Sequence, residues 1–325
     1  MSRGPTPDPD HEGGEQDSRP RVLVLAATPL LSLVIEPTPP DDAPQVHLHL
    51  GGQGLWLARM ASVLEADVVV CGPFGGESGE VLAHLVEHEG IGVRPTPYAG
   101  ANGTSILDHR DGAQVEVVRT TPSPLDRHEI DDLYGTVLVG SLDVDVVVVA
   151  GADPPTTLPA DVFGRLADDL RATGRTVVAD LSGEATRAVL GPGVDVLKMS
   201  HSEMLDGGFA ERRSRAGLVD GARRMLADGV RAMVVSRAQD PTLVVTRERA
   251  VEVRVPHVTP VEHRGAGDSM TAGIAVGLGR GLDLEEAVRL GAAAGALNVA
   301  RHGLGTGRRE QIERFAHEVA VHEIT

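Results

Sequence analysis

The chain has 325 residues and carries 30 Lys plus Arg against 47 Asp plus Glu, a formal charge of -17. An apolar fraction of 41% excludes a wholly disordered chain. The acidity makes it a poor general binder of nucleic acid or of an anionic membrane.

Residues 1–20 (MSRGPTPDPDHEGGEQDSRP) hold no apolar segment and read as a disordered polar tail, not a secretory signal. One α/β domain is expected over 21–325. The run from Val22 (VLVLAA) reads as a first strand, ended by Thr28 and Pro29. Leu33–Glu36 is a short extended stretch. Gln45–Leu50 alternates and reads as an exposed strand. Gly51, Gly52 and Gly54 open a helix with Leu57, Ala61 and Leu64 on one face. Ala66–Cys71 reads as a buried strand. Cys71 is the only cysteine, which excludes an intrachain disulfide and a thiolate zinc cluster. Gly75, Gly76 and Gly79 precede a helix around Glu80–Glu89. Thr104–Leu107 and Val115–Arg119 flank the turn DHRDG as a hairpin.

From about residue 130 strands and helices alternate. Strands are expected at Asp145–Ala150, Thr176–Asp180, Asp195–Met199 and Ala232–Ser236. Helices are expected at Asp161–Ala172, around Glu184–Leu190 and at Leu218–Ala227. Leu243–Thr246 and Ala250–Val255 read as an antiparallel pair. Strands apolar throughout argue for a parallel sheet covered on both faces. The half-polar strands at about 33–50 and 101–121 suggest a small β appendage over one edge. No run approaches about eighteen apolar residues, so no membrane span is expected and the chain reads as soluble and cytoplasmic.

The sharpest chemical signal is VEHRGAGDSMTAGIAVGLGRG, residues 261–281. Gly265, Ala266 and Gly267 let backbone approach a ligand closely, and N–H groups at a helix start point toward an anion. Asp268 in that turn can cap the helix. It can equally take the proton of a bound hydroxyl while the N–H groups steady a transferred anion. No GxGxxG follows the first strand and no GxxxxGK[ST] occurs, which disfavours a hydride-transferring dehydrogenase and a P-loop. The sequence holds a single lysine, Lys198. A phosphate must therefore rest on backbone donors, a few arginines or a metal.

GAGDSMTAG, the helix LGAAAGALNVA (290–300) and GLGTG (303–307) together resemble the ribokinase-like, or PfkB, carbohydrate kinases. Gly51, Gly52, Gln53 and Gly54 resemble the family's GGKG start, and FGGESG (74–79) its GxxGxxxxG region. VVADLSGEATRAVLGPGVDVLKMSHSE (177–203) is similar to the branch with 1-phosphofructokinases and tagatose-6-phosphate kinases. The resemblance implies a three-layer sandwich with a mostly parallel central sheet and a small β-sheet lid. It implies an enzyme that uses ATP and Mg2+ to phosphorylate an alcohol of a sugar-like small molecule, with a lid that can pair two copies.

Residue by residue, the resemblance makes Asp268 the base and Gly265, Ala266 and Gly267 the anion hole. Glu203 would organise magnesium through water. Lys198 would belong to the nucleotide side, or else stand exposed at a strand end. Ser236 and Arg237 fall where the family borders the nucleotide phosphates; both glycines of that loop are gone, Pro241 removes an N–H, and Arg237 would either add charge or obstruct. Asn298, Gly303 and Gly305 fall where the adenine pocket lies, although Asn298 fits equally as a buried, satisfied helix residue. On the acceptor side Ser32 stands where an Asp is usual, Gln53 where a Lys, Trp56 where an Asn, and Asn102 where a Thr-Arg pair begins. Gly51 and Gly52 complete that set. Trp56 would stack on the acceptor or pack in the core. Loss of Lys and Arg there weakens the case for a phosphorylated acceptor. The alternative function is a family member that binds a small molecule as a sensor without efficient turnover.

Overall fold

β1 (Arg21–Leu25) sends alternate side chains into two cores, Val22 and Val24 into one and Leu23 and Leu25 into the other. The computed structural model describes residues 19–38, 43–111, 114–259, 261, 264–300 and 305–324. The polar tail to residue 18 and Gly303 lie outside them.

After β1 come β2 (Leu30–Thr38), β3 (Ala43–Gly51), α1 (Gln53–Val63), β4 (Asp67–Phe74), α2 (Gly76–His88) and β5 (Gly92–Pro97). β6 (Gly103–Asp108), β7 (Val115–Arg119), α3 (Arg127–Ser141), β8 (Val146–Ala150) and α4 (Ala160–Ala172) follow. Next are β9 (Thr176–Asp180), α5 (Gly183–Val189), β10 (Val196–Ser200), α6 (His201–Asp206), α7 (Arg215–Ala227) and β11 (Ala232–Arg237). The remainder is β12 (Asp240–Val245), β13 (Ala250–Arg254), α8 (Ala266–Gly279), α9 (Leu284–Val299), α10 (Arg309–Ala316) and β14 (Ala320–Glu323).

The main sheet has 10 strands in the order β14-β13-β12-β11-β10-β9-β8-β1-β4-β5. β11 to β5 pair in parallel, and β12 to β14 add antiparallel strands at one edge. One face carries α1, α2, α8 and α9, and the other carries α3, α4, α5 and α7. Buried valines along β8 (VVVVA) show why such strands read as continuous apolar runs: both faces are covered. The expected three-layer α/β sandwich is what forms. No helix among the described residues is long and apolar enough to cross a membrane.

Several differences from the expected elements have local causes. The strand β5 lies at the sheet edge, where Pro95 and Pro97 leave no central ladder bond unmade, and those prolines hide it in the sequence. The helix α3 starts with a capping box in which Asp126 and Glu129 exchange bonds. The α2 helix begins at Gly76, so Gly76 and Gly79 lie inside it and do not precede it.

The appendage is a 4-stranded sheet, β3-β2-β6-β7. Its register separates two faces. Leu33 pairs with Leu48 and Ile106, and Ile106 with Val118, making an apolar face that packs on the core at Leu33 and is exposed at Leu48 and Val118. Ser32 pairs with His49 and Ser105, and Ser105 with Arg119, making a polar row on the other face.

Asn102 ties this lid to the core. Its Nδ2 donates to the carbonyls of Pro29 (3.2 Å) and Pro73 (2.9 Å), and its Oδ1 accepts from the Gly75 N–H (2.9 Å). Its amide, expected to meet the acceptor, is here buried and donates to the residue before β2 and to one near the end of β4. Asn102→Ala leaves those groups unpaired, so the denaturation midpoint should fall with a loss of about 2–3 kcal/mol.

Candidate active site

In a parallel sheet, ligands settle outside the carboxyl ends of the strands. Asp180 ends β9, and Lys198 lies directly beside it on β10, so both side chains leave the sheet together. Lys198 Nζ stands 3.0 Å from Asp180 Oδ2 and 3.3 Å from Oδ1, with both residues buried. Thr271 Oγ1 of α8 donates to the same Oδ2 at 2.6 Å. Asp180 thereby fixes the start of α8 to the sheet edge.

Gly265 is the N-cap of α8 in a left-handed conformation (φ 72), which glycine adopts without strain. Ala266 and Gly267 form the first turn. A Cβ on Gly267 would lie 2.5 Å from Lys198 Nζ, so the ammonium rests against this backbone. Asp268 is the third helical residue and no side chain caps the helix. The reading of Asp268 as an N-cap is therefore not what forms. Its carboxyl is pushed up to about 7 by removal from water and by Asp180 and Glu203, with Lys198 opposing. For Lys198, burial alone would lower the ammonium; Asp180, Asp268 and Glu203 outweigh it and leave it raised. The sole lysine is thus a buried counter-charge and not an exposed strand end.

Glu203 opens α6 in a capping box: its Oε2 accepts the Ser200 N–H at 2.6 Å, and its own N–H bonds Ser200 Oγ at 3.1 Å. Its Oε1 takes no part in that cap. Among the described residues no group of three or more His, Cys, Asp or Glu could hold a metal. A single carboxylate oxygen outside the cap suits the water shell of a magnesium ion, which keeps several waters where few carboxylates reach it.

On the expected nucleotide side, Ser236 is paired in register with Ser200 at the same sheet edge. Arg237 turns away: Nη2 bonds Glu252 Oε1 at 2.7 Å and Nε donates to the Pro241 carbonyl, inside the β11–β12–β13 sheet. It neither offers a spare charge nor obstructs the edge, because Glu252 neutralises it. Asn298 forms the hydrogen bonds of a satisfied helix residue. It is buried, its Nδ2 donates to the Arg264 carbonyl (3.0 Å), and its Oδ1 accepts the Gly305 N–H (3.0 Å). Its side chain ties the loop before Gly265 to Gly305. Gly305 packs on the Trp56 carbonyl of α1.

On the expected acceptor side, Gly51 ends β3 and Gly52 is the N-cap of α1. Gln53 reaches the same sheet edge: its Oε1 accepts the Gly151 N–H at 3.1 Å, and its Nε2 lies 3.4 Å from the Asp180 carbonyl. Trp56 is half-buried and donates its indole N–H to the Leu50 carbonyl at 2.9 Å, so it anchors α1 to the lid strand. Ser32 is buried in the polar row of the lid. Two residues escaped the sequence reading. Asp180 had a signal, the DLSG that closes its strand. Arg119 had none, because only strand register brings it to the cleft side, where it meets Asp153.

A model of the pfkB family carbohydrate kinases matches residues 26–311. The chain is 29% identical over 310 residues to an ATP-dependent 6-phosphofructokinase isozyme 2 of Mycobacterium tuberculosis, covering 92% of this chain and 90% of that protein. It is 27% identical over 272 residues to a 1-phosphofructokinase of Bacillus subtilis, covering 83% and 88%. Phosphofructokinase-2 from Escherichia coli superimposes with a TM-score of 0.79 at 24% identity, covering 92% of this chain and 98% of that one. That last likeness shows the fold alone.

Removing the buried cation exposes the cost of its site. Lys198→Met should lower the unfolding free energy by about 3 kcal/mol in urea titrations, since it strands the Asp180 charge.

Proposed function

The chain belongs to the pfkB family of carbohydrate kinases, and on that premise we propose that it transfers the γ-phosphoryl of ATP to an alcohol of a sugar or sugar-like acceptor. The observation that carries the reading is Asp268, held near neutrality beside Lys198 at an α8 N-terminus that no side chain caps. A base of this kind holds a proton only weakly at working pH.

The acceptor lies between the lid and the sheet edge. Asp268 takes the hydroxyl proton as the acceptor oxygen forms its bond to the γ-phosphorus. The bond from that phosphorus to the β-phosphate oxygen breaks, and ADP leaves with the electron pair. The N–H groups at 265–267 and the positive end of α8 face the transferred group. Lys198, seated against Gly267, keeps the neighbouring carboxylates from repelling it. Magnesium, when bound with the nucleotide, neutralises phosphate charge and aligns the γ-phosphate. Lid closure keeps out water, the competing acceptor.

A binding protein without turnover is the second reading. It draws on Ser200, Arg237 and Pro241, where the nucleotide-side pattern is altered. The exposed apolar residues of the lid, Val46, Leu48 and Val118, support a homodimer through that surface. Leu48→Glu should then convert dimer to monomer in light scattering; an unchanged mass argues against this pairing.

In a screen of sugars and sugar phosphates, acceptor-dependent ADP release should rise with pH through about 7 and then level off. Asp268→Asn should abolish it while nucleotide binding persists. ADP release that never depends on an acceptor, or that survives Asp268→Asn, removes the kinase reading and favours the sensor.

A further inference from the structure

Four polar side chains lie in one row across the lid: His49 on β3, Ser32 on β2, Ser105 on β6 and Arg119 on β7. Register puts them on one face, and the contact of Arg119 identifies that face. Its Nη2 bonds Asp153 Oδ2 at 2.9 Å, in the loop after β8, at the carboxyl edge of the main sheet. The Asp153 N–H in turn bonds Thr28 Oγ1 at 3.0 Å, after β1. Ser105 Oγ bonds Glu116 Oε2 at 3.2 Å, and Arg119 Nη1 is 3.9 Å from the same oxygen. Arg119 therefore lies over the carboxyl edge of the main sheet, the edge that Gln53 also reaches through Gly151 and Asp180.

Arg119 is the only Lys or Arg among the residues of the four lid strands. Its ion pair is open to water: the Asp153 side chain is 79% exposed and that of Arg119 40%. Pairs this exposed contribute little, so the guanidinium can change partner at small cost. A phosphate monoester is a better partner than one solvated carboxylate, because it can take the planar fork bidentately with twice the charge. Gln53, at the position where a lysine was expected, is neutral and committed to Gly151.

We propose that Arg119 selects acceptors bearing a phosphate monoester, by exchanging Asp153 for that group when the acceptor enters beneath the lid. Asp153 then acts as a place-holder that keeps the arginine oriented toward the cleft. The inference rests on the kinase reading for the word acceptor, yet its test reads binding as well as turnover.

The test uses the full chain with fructose, fructose 1-phosphate and fructose 6-phosphate, by calorimetry and by coupled ADP assay. Wild type should bind a phosphorylated probe at least about tenfold more tightly than fructose, the scale of one charge-assisted contact. Arg119→Ala should weaken that binding by about 10- to 100-fold and change fructose binding by no more than about twofold. Arg119→Lys should recover part of the loss, since charge remains but the fork does not. Asp153→Asn should tighten the phosphorylated probe by a few-fold, roughly what an exposed pair withholds. Where turnover is seen, Arg119→Ala should act on KM with kcat nearly kept. Equal binding of fructose and both phosphates by wild type overturns the proposal, as does a loss in Arg119→Ala shared equally by neutral and phosphorylated probes. Selective binding lost in Arg119→Ala, but without ADP release in any variant, upholds the selection and removes the kinase reading.

Discussion

A buried ion pair, Asp180 with Lys198, holds the site together. The two residues lie side by side on neighbouring parallel strands, at the edge where α8 starts. Such a pair is costly to desolvate and stays only when its remaining bonds are made. Thr271 makes one of them and so docks α8. Gly267 makes room for the ammonium. The position of the α8 N-terminus thus follows from an electrostatic requirement of the core.

The same cluster sets the character of Asp268. With Asp180 and Glu203 near it and little water, its carboxyl holds a proton far more strongly than a surface Asp. Lys198 limits that rise and keeps it in the range useful to a base near neutral pH. One cation among three carboxylates does the balancing. Composition alone makes a lone lysine in an acidic chain look like poor equipment for phosphate chemistry. The structure gives that lysine an indirect task, as the buried partner of Asp180 seated against Gly267.

Much of this was legible in the sequence. The apolar strands, the lid strands and the GAGD turn stand out because their signals are local: periodicity, glycine and helix starts. Asp268 and Lys198 were both marked. What escaped depends on partners far along the chain. Asp180 shares a register with Lys198 across a whole crossover, and Arg119 reaches the cleft only because β7 pairs with β6 in one phase. Asn102 and Asn298 have polar amides in motif positions, yet tertiary packing turns both onto backbone groups. A spacing pattern does not distinguish an amide facing a ligand from one that clamps two loops.

The chemistry of this site depends first on the ionisation of Asp268. Carbon-detected NMR titration of the side-chain carboxyls, with Asp268 assigned by its absence in Asp268→Asn, measures it directly. The cluster predicts a midpoint near 7 in the unliganded protein, moving higher in Lys198→Met. A midpoint in the ordinary carboxylate range, about 4, and indifferent to Lys198, would contradict it.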